Sequence, residues 1–372
     1  MKKISKISFV SLLFFSSLNA LEFGTMGSQS FGMAGTGVAV KKSAWGLYYN
    51  PALIAADSGF KLGLFAELHA KSKNFWNIFN RDFKKLNQND IEEIKQLLED
   101  NRISLGTQDG VVLQLPDFGI GALAIGGFFN LAANGTTQAK IELPKDKTTI
   151  EDLGLETNFS ALALIEIPLG YAYEFDTLAG DFSVGVALKY MNLSGTAGNF
   201  KISSNMSPSD SLKDLLKVDL GHNVSNIGVD VGVTYEPFSF LTLGVVGKNL
   251  NAPSFDLGFQ KIKINPQARA GAALNIGFWT LALDADLTKN QFLGSNLDNQ
   301  VISLGTSFDF KFFSLRGGVA TDLQNKEDLI FSLGLGLAFF DIGVQVGKKT
   351  NPLNGLLIPD YLALQVGAGF SF

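Results

Sequence analysis

The sequence contains no cysteine, and its only histidines are His69 and His222. A chain without cysteine forms no disulfide, so an exported form of it depends on packing and backbone hydrogen bonds. Long apolar runs are also missing, because no segment after residue 15 has the ~20 uninterrupted apolar residues that a membrane-spanning helix needs. The formal net charge of −5 gives nucleic-acid binding no electrostatic support. The sequence therefore predicts neither helical membrane spans nor a nucleic-acid partner.

Apolar residues are nevertheless abundant, at 46% of the chain, with 40 glycines and 32 phenylalanines. Residues 360–372 show how they are arranged, because apolar residues there alternate with small or polar ones up to the final Phe372. Successive side chains of a strand point to opposite faces, so this pattern predicts a strand with one apolar and one polar face. A last strand that ends on an aromatic residue is typical of bacterial outer-membrane barrels.

Period-two alternation recurs in about fourteen segments, and the connections between them alternate between long and short. Outer-membrane barrels place short turns in the periplasm and long loops outside. We therefore predict an all-β fold, a transmembrane antiparallel β-barrel of about 14 strands with an N-terminal glycine-rich plug and short helices in outer loops. The predicted strands are 59–70, 108–116, 118–131, 157–176, 180–194, 222–236, 239–250, 264–278, 279–290, 298–310, 312–322, 328–339, 340–349 and 360–372.

The first twenty residues have the order of a secretory signal peptide. Three lysines precede an apolar run at 7–15, and small and polar residues follow up to Ala20, where we expect cleavage. This gives three predicted segments: a signal peptide at 1–20, an N-terminal hatch or plug at 21–58, and the transmembrane barrel at 59–372. The predicted location is the bacterial outer membrane.

Helical patterns occur in two of the long connections. Asn89 and Glu92 have the spacing of a capping box ahead of an apolar stripe. Ser207 and Pro208 suit the start of a second, shorter helix. These helices either fold back over the barrel mouth or collect a ligand or partner.

A barrel of fourteen strands is too wide for its own wall side chains to fill. The glycine-rich stretch 23–40, which continues into aromatic residues at 45–49, is the predicted plug, since glycine permits tight, irregular packing. Irregular backbone is tolerated at membrane depth only where protein surrounds it. The candidate hatch residues are Gly32, Gly35, Gly37, Asn50, Pro51 and Ala52.

The alternation also assigns charged residues to the lumen, because a charge facing lipid is costly. We expect Glu166 and Lys189 to lie directly opposite each other, and Arg269 and Asp286 to be diagonal neighbours. Both signs are mixed, which favours pairing inside a wet or plugged lumen, with a substrate-binding polar girdle as the alternative. The predicted lumen-facing charged residues are Glu67, Glu166, Lys189, Lys248, Arg269, Asp284, Asp286 and Arg316.

Some of these segments resemble known families. The Gly-Met-Ala-Gly-Thr-Gly-Val-Ala run at 32–39 with Asn-Pro-Ala at 50–52 resembles the hatch of the FadL-type transporters, fourteen-stranded barrels for hydrophobic compounds. The segments 243–255, 265–271 and 281–288 resemble the family labelled conjugal transfer protein TraF, which is similar to the FadL group. The resemblance implies that residues 50–52 gate or seal the lumen, but it carries over no carboxylate-binding motif.

Two functions follow, and the sequence favours the first, because no partner-binding patch can be identified in it. One is a passive uptake channel for small hydrophobic molecules; the other is a non-transporting structural or assembly component of the envelope, such as a conjugation-related protein. No nucleophile motif accompanies the two histidines and no dense set of metal ligands is present, so we expect no enzyme, no metal and no cofactor. The expected partners are the lipid bilayer, lipopolysaccharide, a hydrophobic ligand, and the barrel-assembly machinery, which would bind the last strand ending at Phe372.

Overall fold

The computed structural model describes residues 18–19, 23–73, 101–140, 154–202, 222–291, 293, 298–310, 312–324, 329–353 and 356–371. Within them, fourteen strands pair in chain order and close into one antiparallel barrel, which confirms the predicted fold class. The strands are β1 Lys61–Lys73, β2 Arg102–Gln114, β3 Ala122–Lys140, β4 Gly154–Thr177, β5 Gly180–Ile202, β6 His222–Phe238, β7 Leu241–Lys248, β8 Gln267–Ile276, β9 Trp279–Asp286, β10 Val301–Asp309, β11 Phe313–Asp322, β12 Leu329–Leu337, β13 Phe340–Gly347 and β14 Tyr361–Ser371.

The barrel closes where β14 pairs with β1, with Leu364 opposite Leu68 and Gln365 opposite Glu67. Leu364 and Leu68 face outward and are exposed, whereas Gln365 and Glu67 face inward and are buried. The period-two sequence pattern thus places apolar side chains outside and polar ones inside. Closure gives the backbone groups of the wall partners on neighbouring strands, which is the condition for crossing lipid.

The two ends of the barrel differ. At one end, here called the turn end, strands are joined by short connections such as the one from Thr177 to Gly180. Aromatic stacks lie at this end, with the exposed Phe182 on the half-buried Tyr235 and the exposed Phe339 on the half-buried Phe370. At the other end, the loop end, strands β3, β4 and β5 reach 19, 24 and 23 residues. A tilted membrane strand needs only ~9–11 residues, so these three strands extend beyond the apolar band.

The ladder of the wall is irregular at two places in the described residues, between Tyr235 and Phe238 where β6 pairs with β7, and within the pairing of β3 with β4. Ile125 pairs with Leu169 and Phe128 pairs with Glu166, but no pairing joins the residues between them. Pro168 lies in that gap and has no N–H to donate, which accounts for part of the break.

Residues 23–56, called the hatch from here on, fill the barrel interior. They carry three short helices, α1 Ser28–Gly32, α2 Gly46–Tyr49 and α3 Leu53–Ala56, all of whose residues are buried. The sequence predicts an irregular plug, and the structure adds these single turns to it. Gly27, with φ of 84°, precedes α1, which fits a residue without a Cβ atom.

Further short strands lie at the loop end. They are Ser254–Asp256 with Lys261–Lys263, Asn290–Gln291 with Asp298–Asn299, and Thr350–Leu353 with Leu356–Pro359. Leu18–Asn19 pairs in parallel with Lys261–Lys263, and the rest of the predicted signal peptide falls outside the described residues. So do the predicted loop helices and Phe372. No helix in the described ranges is both long enough and apolar enough to span a membrane.

Candidate functional site

Glycines of the wall form the seat of the hatch. A Cβ atom on Gly185 would overlap the backbone of Pro51, and one on Gly232 would overlap Asn50 Oδ1. On β7, a Cβ atom on Gly244 would lie 2.5 Å from the Val38 carbonyl oxygen. Because glycine has no Cβ atom, the hatch backbone contacts the wall directly at these points.

Asn50 holds this contact together and is fully buried. Its Nδ2 donates to the carbonyl oxygens of Val38 at 3.0 Å and of Val233 on β6 at 3.2 Å. Its Oδ1 accepts from the backbone N–H of Ala52 at 3.1 Å. Asn50 therefore joins two parts of the hatch to each other and to the wall, and Ala52 is fixed at the start of α3.

The three predicted hatch glycines lie at crowded or unusual positions. A Cβ atom on Gly32 would lie 2.8 Å from Arg316 Cβ on the wall, and one on Gly37 would overlap the Tyr49 ring. Gly35 has φ of 88°, in the left-handed region where side chains are strained. Each glycine thus permits a conformation or an approach that a larger residue would disturb.

Tyr49 is a central packing residue of the hatch. Its hydroxyl accepts a hydrogen bond from the backbone N–H of Met26 at 2.8 Å, which satisfies a buried donor. Burial raises the pKa of Tyr49 above its ordinary value of 10.0, because the ionised form would lose its hydration.

The first buried charge cluster centres on Lys189 of β5. Its Nζ lies 2.9 Å from Glu166 Oε1, 3.1 Å from Asp230 Oδ1 and 2.7 Å from Asn249 Oδ1. Lys189 pairs in register with Pro168, so it is diagonal to Glu166 rather than directly opposite as predicted. The tight turn pairs Thr177 with Gly180, two positions from the register assumed in the prediction.

A second cluster joins the hatch to β8 and β9. Arg269 Nε lies 2.6 Å from Asp286 Oδ1, and the two residues are directly opposite rather than diagonal as predicted. Asp284 Oδ2 accepts hydrogen bonds from the backbone N–H groups of Gly37 at 2.8 Å and Val38 at 3.0 Å. Asp284 therefore anchors hatch backbone to the wall.

The remaining predicted lumen charges also face inward. Lys248 Nζ lies 3.8 Å from the centre of the Tyr48 ring and 4.5 Å from that of Phe23, so it contacts two aromatic faces of the hatch. Arg316 Nη1 pairs with Asp341 on β13. Glu67 pairs with Nδ1 of His69 at 3.0 Å. The His222 side chain lies outside the described residues.

Two further ion pairs tie the hatch to the turn end. Lys41 Nζ lies 2.8 Å from Glu236 Oε2, and Lys61 Nζ lies 2.6 Å from Asp57 Oδ2. The first pair connects the hatch to the end of β6, and the second connects the residue just after the hatch to the start of β1. With the glycine seat, they make the hatch a docked element with many contacts.

The hatch leaves a cavity of about 120 Å³ on its loop-end side. Leu293 borders this cavity, and its carbonyl oxygen accepts a hydrogen bond from Asn134 Nδ2 at 3.0 Å, so a loop segment contacts β3. On the turn-end side, a second cavity of about 210 Å³ lies beside Ser28, Trp45 and Asp341. The apolar residues around the loop-end cavity include Phe23, Leu131, Val301, Ile330 and Tyr361.

Sequence reasoning missed several polar residues of the lumen. Asp230 is one of them: it lies at an even-numbered position of β6, and the even-numbered side chains of this strand point into the barrel. The period-two alternation could therefore have identified it. Gln108 and Asn130 lie in the predicted strands at inward positions but were not named, whereas the alternation did assign one uncharged residue, Gln365, to the lumen, where it is buried. Within the described residues, no three His, Asp or Glu side chains are grouped as metal ligands would be.

Comparison with known proteins places this architecture. The family model described as "F plasmid transfer operon, TraF, protein" matches residues 47–286. No curated protein matches the chain. Among solved structures, a Pseudomonas aeruginosa FadL homologue is similar at 11% identity and TM-score 0.56, over 94% of this chain and 99% of that one.

Two channels described by their substrates are also similar in fold. The Ralstonia pickettii toluene transporter TbuX is 15% identical with a TM-score of 0.54, over 94% of this chain and 98% of that one. The Pseudomonas putida toluene transporter TodX is 16% identical with a TM-score of 0.51, over 96% and 99%. At such identities the likeness establishes the fold.

Proposed function

We infer that this chain, which belongs to the family described as "F plasmid transfer operon, TraF, protein", is a passive uptake channel for small hydrophobic molecules. The observation that carries this proposal is the cavity between the hatch and the loop end. It is bordered by Phe23 of the hatch and by Val301 and Ile330 of the wall. Ligand sites are concave and combine apolar surface with polar groups that fix the ligand's orientation, and this cavity offers both, with polar side chains such as Gln108 and Asn130 beside the apolar ones.

The size of the cavity limits the cargo. Its volume of about 120 Å³ is close to that of an apolar cavity of about 150 Å³ that binds benzene. TbuX and TodX are described as toluene transporters. We therefore propose that the cargo is a molecule with a single ring or a short chain.

Location and orientation follow from the barrel surface. The exposed apolar side chains around the wall suit lipid, and the aromatic stacks at the turn end suit an interface. We propose that the barrel lies in the bacterial outer membrane with the turn end in the periplasm and the loop end outside. Lipopolysaccharide would then contact the loop end, and β14 would be the strand recognised by the barrel-assembly machinery.

Passage to the periplasm needs a change in the hatch, because the hatch separates the two cavities. Helix α1 lies between them in the chain: Ser28 lines the turn-end cavity, and Ala34, just after α1, lines the loop-end cavity. Phe31 O accepts a hydrogen bond from Nε2 of Gln345, which also lines the loop-end cavity. Ser28 Oγ also donates to Gln365 Oε1 on β14 at 3.0 Å. Displacement of α1 would break these two hydrogen bonds and leave the seat of Asn50 in place.

Uptake by cells tests the proposal. A strain lacking the protein, its parent and a complemented strain are compared for entry of labelled toluene and hexanol at low concentration. The channel predicts slower entry in the deletion strain and recovery on complementation. Equal entry in all three strains, across both compounds, would contradict it.

The family description supports a second candidate, a non-transporting component of an envelope assembly. Cross-linking in intact outer membranes followed by purification of the barrel tests it. This candidate predicts a stoichiometric envelope protein attached to the barrel in the parent strain. Recovery of the barrel alone would remove its basis.

A further inference from the structure

Two amide side chains face each other in the loop-end cavity. Gln108 on β2 and Asn130 on β3 are directly opposite in the ladder, and both line the cavity. Gln108 Oε1 and Asn130 Nδ2 are buried and have no hydrogen-bond partner among the described residues. Buried polar groups are almost always paired, so an unpaired acceptor beside an unpaired donor indicates a missing polar partner.

The pair lies between a carboxylate and an apolar side chain in the ladder, because Gln108 pairs in register with the buried Glu67 of β1. Asn130 is nine-tenths buried and pairs in register with Leu164 of β4, which is fully buried. On the hatch side, Phe23 borders the same cavity. The amide of Gln108 lies against Gly24 of the hatch, where a Cβ atom would be 2.5 Å from both amide heteroatoms. The hatch therefore limits how far the Gln108 amide can turn away.

The charged groups around the cavity already have partners. A ligand with a net charge would therefore meet no unmatched counter-charge, and a buried unpaired charge is costly. Lys71 also takes part in an interaction of its own. The other pairs are Arg269 with Asp286, His69 with Glu67, and Asp322 with the backbone N–H groups of Gln300 and Gln324.

The geometry points to a hydroxyl-binding subsite in this cavity, formed by Gln108 and Asn130. A hydroxyl group donates one hydrogen bond and accepts others, so it can donate to Gln108 Oε1 and accept from Asn130 Nδ2. Cβ atoms of directly opposite residues lie about 4.5–5.5 Å apart, so one ligand oxygen can reach both amides. The ligand class is a neutral monocyclic alcohol or phenol whose apolar part lies towards Phe23. This inference rests on the proposed function in taking the cavity as the cargo site.

Binding to the full-length protein in lipid nanodiscs tests the subsite. Dissociation constants are measured for p-cresol, 4-methylanisole and toluene, with empty nanodiscs subtracted. The three compounds share a ring of similar size but differ in hydrogen bonding. The hydroxyl of p-cresol donates and accepts hydrogen bonds, the ether oxygen of 4-methylanisole only accepts them, and toluene forms none. The parent protein should favour p-cresol over 4-methylanisole. In the double variant Gln108→Met with Asn130→Leu, the ratio of p-cresol to toluene affinity should fall about tenfold, as expected for lost hydrogen bonds.

The matched control is Asn192→Leu on β5. Its amide donates to Ser225 Oγ away from the cavity, so the ratio should match that of the parent. If the double variant fails to fold, the hydroxyl subsite is still tested in two ways: by the two single variants, and by comparing the affinities of the parent protein for p-cresol and 4-methylanisole. Equal affinity for those two ligands, or a ratio unchanged in folded variants, would overturn the inference and mean that the amides bind water only.

Failure of the subsite and failure of the channel give different results. Uptake of toluene together with no amide-dependent preference leaves the channel standing and removes the hydroxyl subsite. Amide-dependent p-cresol binding without uptake of any tested compound supports the subsite and contradicts the channel.

Discussion

Gly232 of β6 lies directly beneath Asn50 of the hatch, so that a Cβ atom on the glycine would overlap Asn50 Oδ1. The Asn50 amide bridges Val38 of the hatch and Val233, the residue next to Gly232. The absence of a side chain at Gly232 thus leaves room for the Asn50 amide to bind the wall. Part of the chain's high glycine content reflects this docking surface.

The first prediction concerns Gly232→Ala. The added methyl group displaces Asn50, and overpacking of this kind costs about 1–3 kcal/mol. We expect a lower unfolding midpoint and faster protease cleavage within the hatch, measured on the purified protein in detergent. The control is Gly317→Ala, because the nearest atom to a Cβ there is 4.0 Å away. Equal protease protection in both variants would contradict the glycine seat.

The second prediction concerns Lys189→Met. This change leaves Glu166 and Asp230 buried without their shared cation, and breaking a buried pair costs about 3–5 kcal/mol. We expect a clear drop in the urea midpoint of unfolding. The triple change Lys189→Met, Glu166→Gln and Asp230→Asn also removes the two carboxylate charges, so it should restore most of the lost urea midpoint. A single variant as stable as the parent would show that the cluster is not buried.

The third prediction concerns Tyr49 and pH. Because burial raises the pKa of Tyr49, the folded state keeps this tyrosine neutral where exposed tyrosines ionise. Its contribution to stability is complete below about pH 10 and is lost as the pH rises towards the folded-state pKa. In an alkaline titration of tyrosinate absorbance, Tyr49→Phe should remove only the most alkaline component. Loss of a component near pH 10 would contradict the burial of Tyr49.

Much of the fold could be predicted from sequence because outward apolar and inward polar side chains alternate along the wall. That signal fades towards the loop end: β3 continues to Lys140 and β5 to Ile202, well past the predicted ends at 131 and 194. Residues 132–140 and 195–202 are mostly small or polar, so the alternation does not continue there. The short helices of the hatch gave no periodic signal, since one turn is too short to show an apolar face.

Inward parity identified the charged residues of the lumen, but their partners depended on the register at each turn. One turn pairs Thr177 with Gly180 and another pairs Ile276 with Trp279, and these closures decided which charges are opposite and which are diagonal. The docking of Asn50 on Gly232 involves residues 182 positions apart in sequence. Nothing in the local pattern specifies such a contact.

The fourth prediction tests whether cargo passes α1. A Cβ atom on Gly367 of β14 would overlap the Ser28 hydroxyl, so cysteines at both positions are close enough to form a disulfide. The chain has no cysteine of its own, so no other disulfide competes. In the double variant Ser28→Cys with Gly367→Cys, oxidation should fix α1 to the wall and reduction should release it. The single variants are the controls.

Flux of labelled toluene into liposomes that contain the purified protein tests the central claim most directly. The parent protein should raise the entry rate above that of protein-free liposomes, and the oxidised Ser28→Cys, Gly367→Cys variant should lose this increase and regain it on reduction. If the oxidised variant is as fast as the parent, the cargo does not pass α1 and takes another route, for example through the break in the wall at Pro168. A parent protein no faster than bare lipid would contradict the channel itself.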